Sequence, residues 1–296
     1  MQCSFCQYAK TLDRTNKQAD DMSEEDFLRI LNLKAFKHLL YIFLGKGEPL
    51  LHAQIFKMIK HIQARNMLAV MATNGLALEK RMDEFLAVPP DILWVSLYDK
   101  VLKRQIENIR KLKHHRLDHM VIGGGRIITK HNLGDIDEFI RIADDLKLSN
   151  FWLQQMIHQD KTMTDDLIFD TDTEIVQFLQ AKRIELTKKY PNIAITYPTP
   201  IQTKPKNIVC YSLFKGFSVN QNGSIQPCCA IDPLPEKNVY GNMFLDEMAH
   251  LHNKKYLALK QAFFSAGSTI PPTCQHCYLC SGTTGISLLL HWRRNK

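Results

Sequence analysis

Between Cys6 and Cys210 this 296-residue sequence contains no cysteine. The gap excludes the usual scatter of thiols as small core hydrophobes. Long apolar runs are missing too: the longest, KHLLYIFLG, is too short to cross a bilayer as a helix, and no membrane partner is expected. No charged-then-apolar stretch with a small-residue cleavage site is present near Met1, so the expected location is the cytoplasm. There is no low-complexity tract, and the one internal recurrence is an alternation of helical and strand patterns. With 45% hydrophobic and 23% charged residues, the composition is that of an ordinary globular protein with room for a large domain and a small one.

The formal charge of +8 raises the question of a nucleic-acid partner. Its densest basic segment, KVLKRQIENIRKLKHHR (Lys100 to Arg116), carries Val101, Ile106, Ile109 and Leu112 at helical spacing. It reads as an amphipathic helix with its basic face in solvent, and such a face needs no partner. Nucleic acid is therefore not expected on charge alone.

The eight cysteines fall in three groups: Cys3 and Cys6; Cys210, Cys228 and Cys229; and Cys274, Cys277 and Cys280. Disulfides are not expected in a reducing compartment. Thiols at two-residue intervals are what a metal or an iron–sulfur cluster requires, because a C-x-x-C turn brings two thiolates to one centre.

From Met22 onward helical and strand patterns alternate. Ser23, followed by Glu24, Glu25 and Asp26, marks a capped helix start. The strand-like runs HLLYIFLG, MLAVMAT, DILWVSLY, DHMVIGGG and NFWLQQMI are each preceded by a helical pattern. This is the rhythm of a parallel α/β sheet, and a partly closed barrel or an open doubly wound sheet would both produce it. A long helix, EIVQFLQAKRIELTKKY, and a further strand, IAITYP, follow. The segment PTPIQTKPKN is the best boundary, dividing 1–199 from 200–296. Beyond it, FSVNQNGSIQPCC has strand-like runs on both sides of Asn222-Gly223, a strong hairpin signal.

Loops at the carboxyl edge of a parallel sheet converge on one mouth, where chemistry collects. Three of these strand ends stand out: Gly45-Lys46-Gly47-Glu48-Pro49, Thr73-Asn74-Gly75, and Ser96 through Asp99. Glycines allow close approach of a ligand to the backbone, and Glu48 brings a carboxylate to the mouth.

With these features together, the sequence resembles the radical SAM superfamily. Those enzymes hold a 4Fe–4S cluster through a C-x3-C-x-aromatic-C loop after the first barrel strand. Cys3, Phe5 and Cys6 match the second cysteine, the aromatic and the third cysteine; the first would lie before Met1, so a truncated start is expected. The resemblance implies a partial (β/α)6 TIM-like barrel lacking its first strand, followed by a small α+β domain. It implies that Gly45, Gly47, Glu48 and Pro49 hold the amino group of S-adenosylmethionine (SAM). Thr73, Asn74 and Ser96 would add contacts to SAM, and Arg126 would be a carboxylate or ribose partner. Gln154 and Gln155 are further candidates for cofactor or substrate contact.

The carboxy-terminal part resembles a SPASM domain, an auxiliary-cluster extension of some of these enzymes. Cys210, Gly223 and Cys228 reproduce its opening spacing, and NGSIQPCC, YGNMF and PPTCQHCYLC its order of features. Fuller versions carry a longer cysteine pattern, so one auxiliary 4Fe–4S cluster is expected here. Cys210, Cys228, Cys274, Cys277 and Cys280 compete for its four ligand places, with Cys229 left out. A structural zinc site is the alternative for this end. His52 and His276 read as loop histidines.

The implied activity is reductive cleavage of SAM to a 5′-deoxyadenosyl radical that abstracts hydrogen from a substrate, expected to be a peptide or protein. The electron would come from a flavodoxin- or ferredoxin-like donor. An RNA-modifying enzyme and a non-catalytic iron–sulfur or zinc protein are the alternatives. With only two loop thiolates, the chain is expected to assemble the auxiliary cluster and not a stable SAM cluster.

Overall fold

The computed structural model describes residues 21–37, 39–45, 47–115, 117, 119–156, 165–203, 210, 213, 216–228, 239–246, 253–263 and 274. Cys3, Phe5, Cys6, Cys229, His276, Cys277 and Cys280 lie outside the described residues. In chain order the main elements are α1 (Glu24–Leu31), β1 (Tyr41–Leu44), α2 (Ile55–Gln63), β2 (Leu68–Thr73), α3 (Met82–Ala87), β3 (Ile92–Ser96), α4 (Leu102–Lys113), β4 (Val121–Ile128), α5 (Ile136–Asp145), β5 (Asn150–Gln155), α6 (Thr173–Lys189), β6 (Ala194–Thr196), β7 (Ser218–Val219), β8 (Ile225–Gln226) and α7 (Lys254–Ala262). They form two compact units, one from the described residues of 40–155 and 172–199, the other from those of 1–39, 156–171 and 200–283.

The first unit is a six-stranded sheet in the order β1-β2-β3-β4-β5-β6, every neighbouring pair parallel. Sequential order with right-handed crossovers puts the connecting helices on one face of such a sheet, as in a barrel wall. Burial alternates accordingly. Ala69, Met71, Leu93, Val95, Phe151 and Leu153 are fully buried beneath the helices. Their neighbours Val70, Ala72, Trp94, Ser96, Trp152 and Gln154 point the other way and are half-buried. The unit is thus a partial α/β barrel wall with an inner face of its own.

Glycines of β4 shape that inner face. Register pairs Trp94 with Gly123 and Gly125 with Trp152. A Cβ on Gly123 would meet Trp94 at 2.8 Å and the Asn150 amide oxygen at 1.9 Å; one on Gly125 would meet the Trp94 indole nitrogen at 3.0 Å. The bare backbone lets the Trp94 ring lie on the strand and reach Trp152, with ring centroids 4.6 Å apart.

Helix α4 is amphipathic as expected, but its inward stripe differs from the sequence reading. The buried residues are Gln105, Asn108, Ile109 and Leu112, while Val101 and Ile106 are only half-buried. On the basic outer side, Lys111 pairs with Glu79 at 2.6 Å.

In the second unit, α1 begins as expected: the Ser23 hydroxyl accepts the Asp26 N–H at 3.0 Å, with acids in the first turn. Arg29 on α1 donates to the Phe244 carbonyl at 2.8 Å and lies over the Phe244 ring. The hairpin β7–β8 turns at Asn220–Ser224. There the Gly223 N–H reaches the Asn220 carbonyl at 2.9 Å, and Gly223 has φ +78°. This is a type I turn with a left-handed glycine bulge, and Asn222 needs no positive φ. Asn253 caps α7, its side chain accepting the Lys255 and Tyr256 N–H groups. Among the described residues no helix is long and apolar enough to cross a membrane.

Candidate active site and thiol pocket

The carboxyl edge of the sheet is organised around Glu48. It follows β1 and starts a short 3-10 turn, Pro49–Leu51, with Pro at its first position. One carboxylate oxygen of Glu48 accepts from the Thr73 hydroxyl at 2.5 Å and from the Leu50 N–H at 3.2 Å. The other accepts the Asn74 N–H at 2.8 Å. Glu48 is therefore held across two strand ends by fixed donors, and a carboxylate with about four acceptor positions keeps capacity for a further cation or donor.

The glycines of this loop have distinct roles. A Cβ on Gly45 would run into the Phe43 ring at 2.2 Å, and Gly47 sits at φ +70°, a conformation costly for other residues. Arg81 holds the segment behind Glu48, donating to the Leu50 and His52 carbonyls at 3.1 and 3.0 Å and lying over Phe56 at 4.8 Å. His52 accepts the Gln54 N–H at 3.1 Å, a local turn contact.

The ends of β2 and β3 are braced from below by α4. The buried Gln105 amide donates to the Asn74 and Ser96 carbonyls at 2.6 and 2.7 Å and accepts the Tyr98 N–H at 2.9 Å. Asn108, one helical turn on, donates to the Gly75 carbonyl at 2.9 Å. Neither residue nor Arg81 was singled out from the sequence. The available signal was polar amides at i and i+3 on the helix stripe that also carries Ile109 and Leu112.

The structure brings Gly45, Glu48, Pro49, Thr73, Asn74 and Ser96 to one edge. Arg126 belongs to the same region but sits on the helix side of β4, opposite the inner face. Its guanidinium is 8% exposed, pairs with Asp99 at 2.5 Å and Asp135 at 3.3 Å, and lies 4.4 Å from the Phe139 ring centroid. Its Nε is buried and has no hydrogen-bond partner. Gln154 is on the inner face, whereas Gln155 is fully buried and donates to the Thr199 carbonyl.

The second unit gathers thiols. Buried Cys210 and Cys274 share one apolar cluster with Leu213, Tyr240, Tyr256 and Leu259, and Cys228 packs against it. None of the three is in a disulfide. Cys228 follows β8 by two residues, and Tyr240 is bonded to the same strand, its N–H reaching the Ile225 carbonyl at 2.9 Å. Burial pushes the Tyr240 and Tyr256 phenols up, and the nearby thiols push the same way: Cys274 and Cys228 on Tyr240, Cys228 and Cys210 on Tyr256. Three soft donors in a water-poor pocket suit an iron–sulfur cluster. Among the described residues no three His, Cys, Asp or Glu side chains converge as ligands of a single ion would.

Comparison with known proteins places both regions. Residues 1–147 match the radical SAM superfamily, and residues 210–278 match SPASM, an iron–sulfur cluster-binding domain. A curated relative, the tungsten-containing aldehyde ferredoxin oxidoreductase cofactor-modifying protein of Pyrococcus furiosus, is 21% identical over 227 residues, covering 70% of this chain and 63% of that one. The chain thus spans under two thirds of that relative's length. Streptococcus suis SuiB bound to S-adenosylmethionine superposes with a TM-score of 0.61 at 15% identity, over 86% of this chain and 63% of that one. SuiB bound to its precursor peptide SuiA gives 0.65 at 16% identity, over 94% and 67%. Native anSMEcpe with bound AdoMet and a peptide gives 0.64 at 13% identity, over 95% and 84%. These likenesses show a shared fold. The two matched domains imply a 4Fe–4S cluster with SAM at the first and auxiliary iron–sulfur chemistry at the second. With its parallel sheet, its Gly-x-Gly-Glu-Pro edge and its gathered thiols, the chain belongs to the radical SAM superfamily and carries a SPASM domain.

Proposed function

We propose that this protein is a radical SAM modifying enzyme acting on a peptide or protein, residues 1–199 forming its SAM-binding barrel and 200–296 its auxiliary-cluster domain. When bound, the first cluster and SAM together supply a carbon-centred radical able to abstract hydrogen from a substrate. Cys3 and Cys6 would contribute thiolates to that cluster, with Phe5 between them.

The chain's own residues at the mouth bind and orient. Glu48 is the observation that carries this reading: a carboxylate fixed by Thr73, Asn74 and Leu50, with acceptor capacity left for the ammonium of a bound methionine moiety. Gly45 and Gly47 leave the backbone open beside it. Ser96, half-buried on the inner face, offers a hydroxyl at the next strand end but one. Gln105 keeps these ends in register, so a ligand meets a preorganised edge.

A peptide substrate is supported by similar structures that hold bound peptides, SuiB with SuiA and anSMEcpe with AdoMet and the Kp18Cys peptide. A low-potential flavodoxin- or ferredoxin-like protein would supply the electron. The auxiliary cluster would be held by Cys210, Cys228 and Cys274, with Cys277 and Cys280 competing for the remaining place.

The test is to supply a third loop cysteine ahead of Cys3, purify the protein anaerobically, reconstitute it with iron and sulfide, and assay deoxyadenosine release from SAM under strong reductant. Release that falls sharply on Glu48→Gln supports the reading. Zinc in place of iron and sulfide, or no deoxyadenosine from fully loaded protein, would overturn it.

A further inference from the structure

The thiol pocket carries two cations that the assignment of ligands does not use. Lys260 and Lys255 both lie on α7. The Lys260 ammonium is 4.4 Å from the Tyr256 ring centroid, and the Lys255 ammonium is 4.6 Å from that of Tyr240. The two rings are 5.9 Å apart, centroid to centroid, and belong to the cluster of side chains that holds Cys210 and Cys274. Each phenol lies within electrostatic reach of two thiols, Cys228 being common to both. Lys255 is also tied down, donating to the Val239 carbonyl at 2.9 Å. Two positive charges thus rest on aromatic rings that border the sulfur-rich pocket.

Iron–sulfur potentials follow net charge, hydrogen bonding and exposure to water. Thiolates already make such a cluster anionic, and reduction adds one more negative charge. Tyr256 is 1% exposed and Tyr240 7%, so the rings exclude water from this side. A charge near a dry pocket acts through a lower dielectric than in bulk solvent. Lys260 is half-buried and Lys255 exposed, and desolvation draws both ammoniums below the ordinary lysine range.

Resting on the reading of this pocket as the auxiliary-cluster site, we propose that Lys255 and Lys260, seated on Tyr240 and Tyr256, are positioning residues whose charge raises the reduction potential of the auxiliary cluster. They stabilise its reduced state without ligating it. The tyrosine rings fix where the charges stand.

The experiment uses the full chain with Cys3→Ala and Cys6→Ala, so that only the carboxy-terminal cluster gives a signal. After anaerobic reconstitution, iron and sulfide are counted and the midpoint potential is read by electron paramagnetic resonance during a redox titration. Lys255→Met and Lys260→Met keep the side-chain stems and remove the charges. Each is expected to move the midpoint to a more negative potential, and the double variant to move it further. Lys255→Arg with Lys260→Arg should stay close to the parent. An unchanged midpoint in the loaded double methionine variant would overturn the proposal. So would loss of iron from the methionine variants with retention in the arginine pair, which would make the lysines structural. If the parent chain itself binds no iron–sulfur cluster, the reading of the pocket fails first, and iron analysis alone reveals it.

Discussion

Glu48 and Thr73 stand 25 residues apart in sequence and share a hydrogen bond of 2.5 Å across two consecutive strand ends. Thr73 in turn accepts the Gly75 N–H at 3.0 Å, so one hydroxyl links the carboxylate to the turn beyond β2. Position and charge can be separated here. Glu48→Gln can turn its amide to keep an acceptor toward the Asn74 N–H, yet it loses the negative charge. It should melt close to the parent while binding SAM at least about tenfold more weakly, roughly 1.4 kcal/mol. Glu48→Ala should also lose about 1–3 kcal/mol of stability, because it removes the acceptor of two backbone donors, the Leu50 and Asn74 N–H groups. Calorimetric titration with SAM and thermal melts check both.

Gln105 serves three backbone groups on two strand ends from a fully buried position. Gln105→Leu should cost about 3 kcal/mol, since each buried group left without a partner is penalised. Denaturant unfolding measures the loss, and SAM affinity should fall with it. A change below about 0.5 kcal/mol would show that the brace is dispensable.

Arg81 bonds to the carbonyls of Leu50 and His52, and its partner Glu84 is exposed. Arg81→Met should therefore loosen the Glu48 loop, costing about 1–2 kcal/mol and weakening SAM binding several-fold. Glu84→Gln should change stability by less than about 1 kcal/mol, as exposed ion pairs contribute little.

Gly123→Ala places a methyl group where the Asn150 amide and the Trp94 ring already lie. Overpacking of this kind costs about 1–3 kcal/mol. Displacement of Trp94 from Trp152 should alter the tryptophan emission, so fluorescence and melting temperature should shift together.

Lys113 donates to the Lys147 carbonyl at 2.5 Å, and burial, with Lys147 second, lowers its ammonium from the ordinary range. Above its lowered value and below about 10.4, the unfolded chain holds a proton that the folded chain has released, so stability rises with pH in that window. Lys113→Met should flatten that rise. Melts between about pH 8 and 10.4, parent against variant, are the check.

Much of this architecture was legible from periodicity. Apolar runs of strand length between amphipathic segments specify a parallel α/β sheet, since each element carries its own local pattern. The strand-end motifs were legible because Gly-x-Gly-Glu-Pro and Thr-Asn-Gly occur as contiguous residues. Cysteine spacing marked the carboxy-terminal end for the same reason: a C-x-x-C turn is a local object.

What the sequence determined by itself was the order of elements, which residues stand at each strand end and the spacing of its cysteines. Tertiary structure alone decided that Gln105 and Asn108 turn inward on a helix that reads as basic and solvated. It alone placed Arg126 with Asp99 and Asp135, laid Trp94 over bare glycines, and set Lys255 and Lys260 on tyrosines beside the thiols. The physical reason is common to all of these. Local pattern encodes which face of an element is apolar, but partners distant in the chain decide which polar group is buried and what satisfies it.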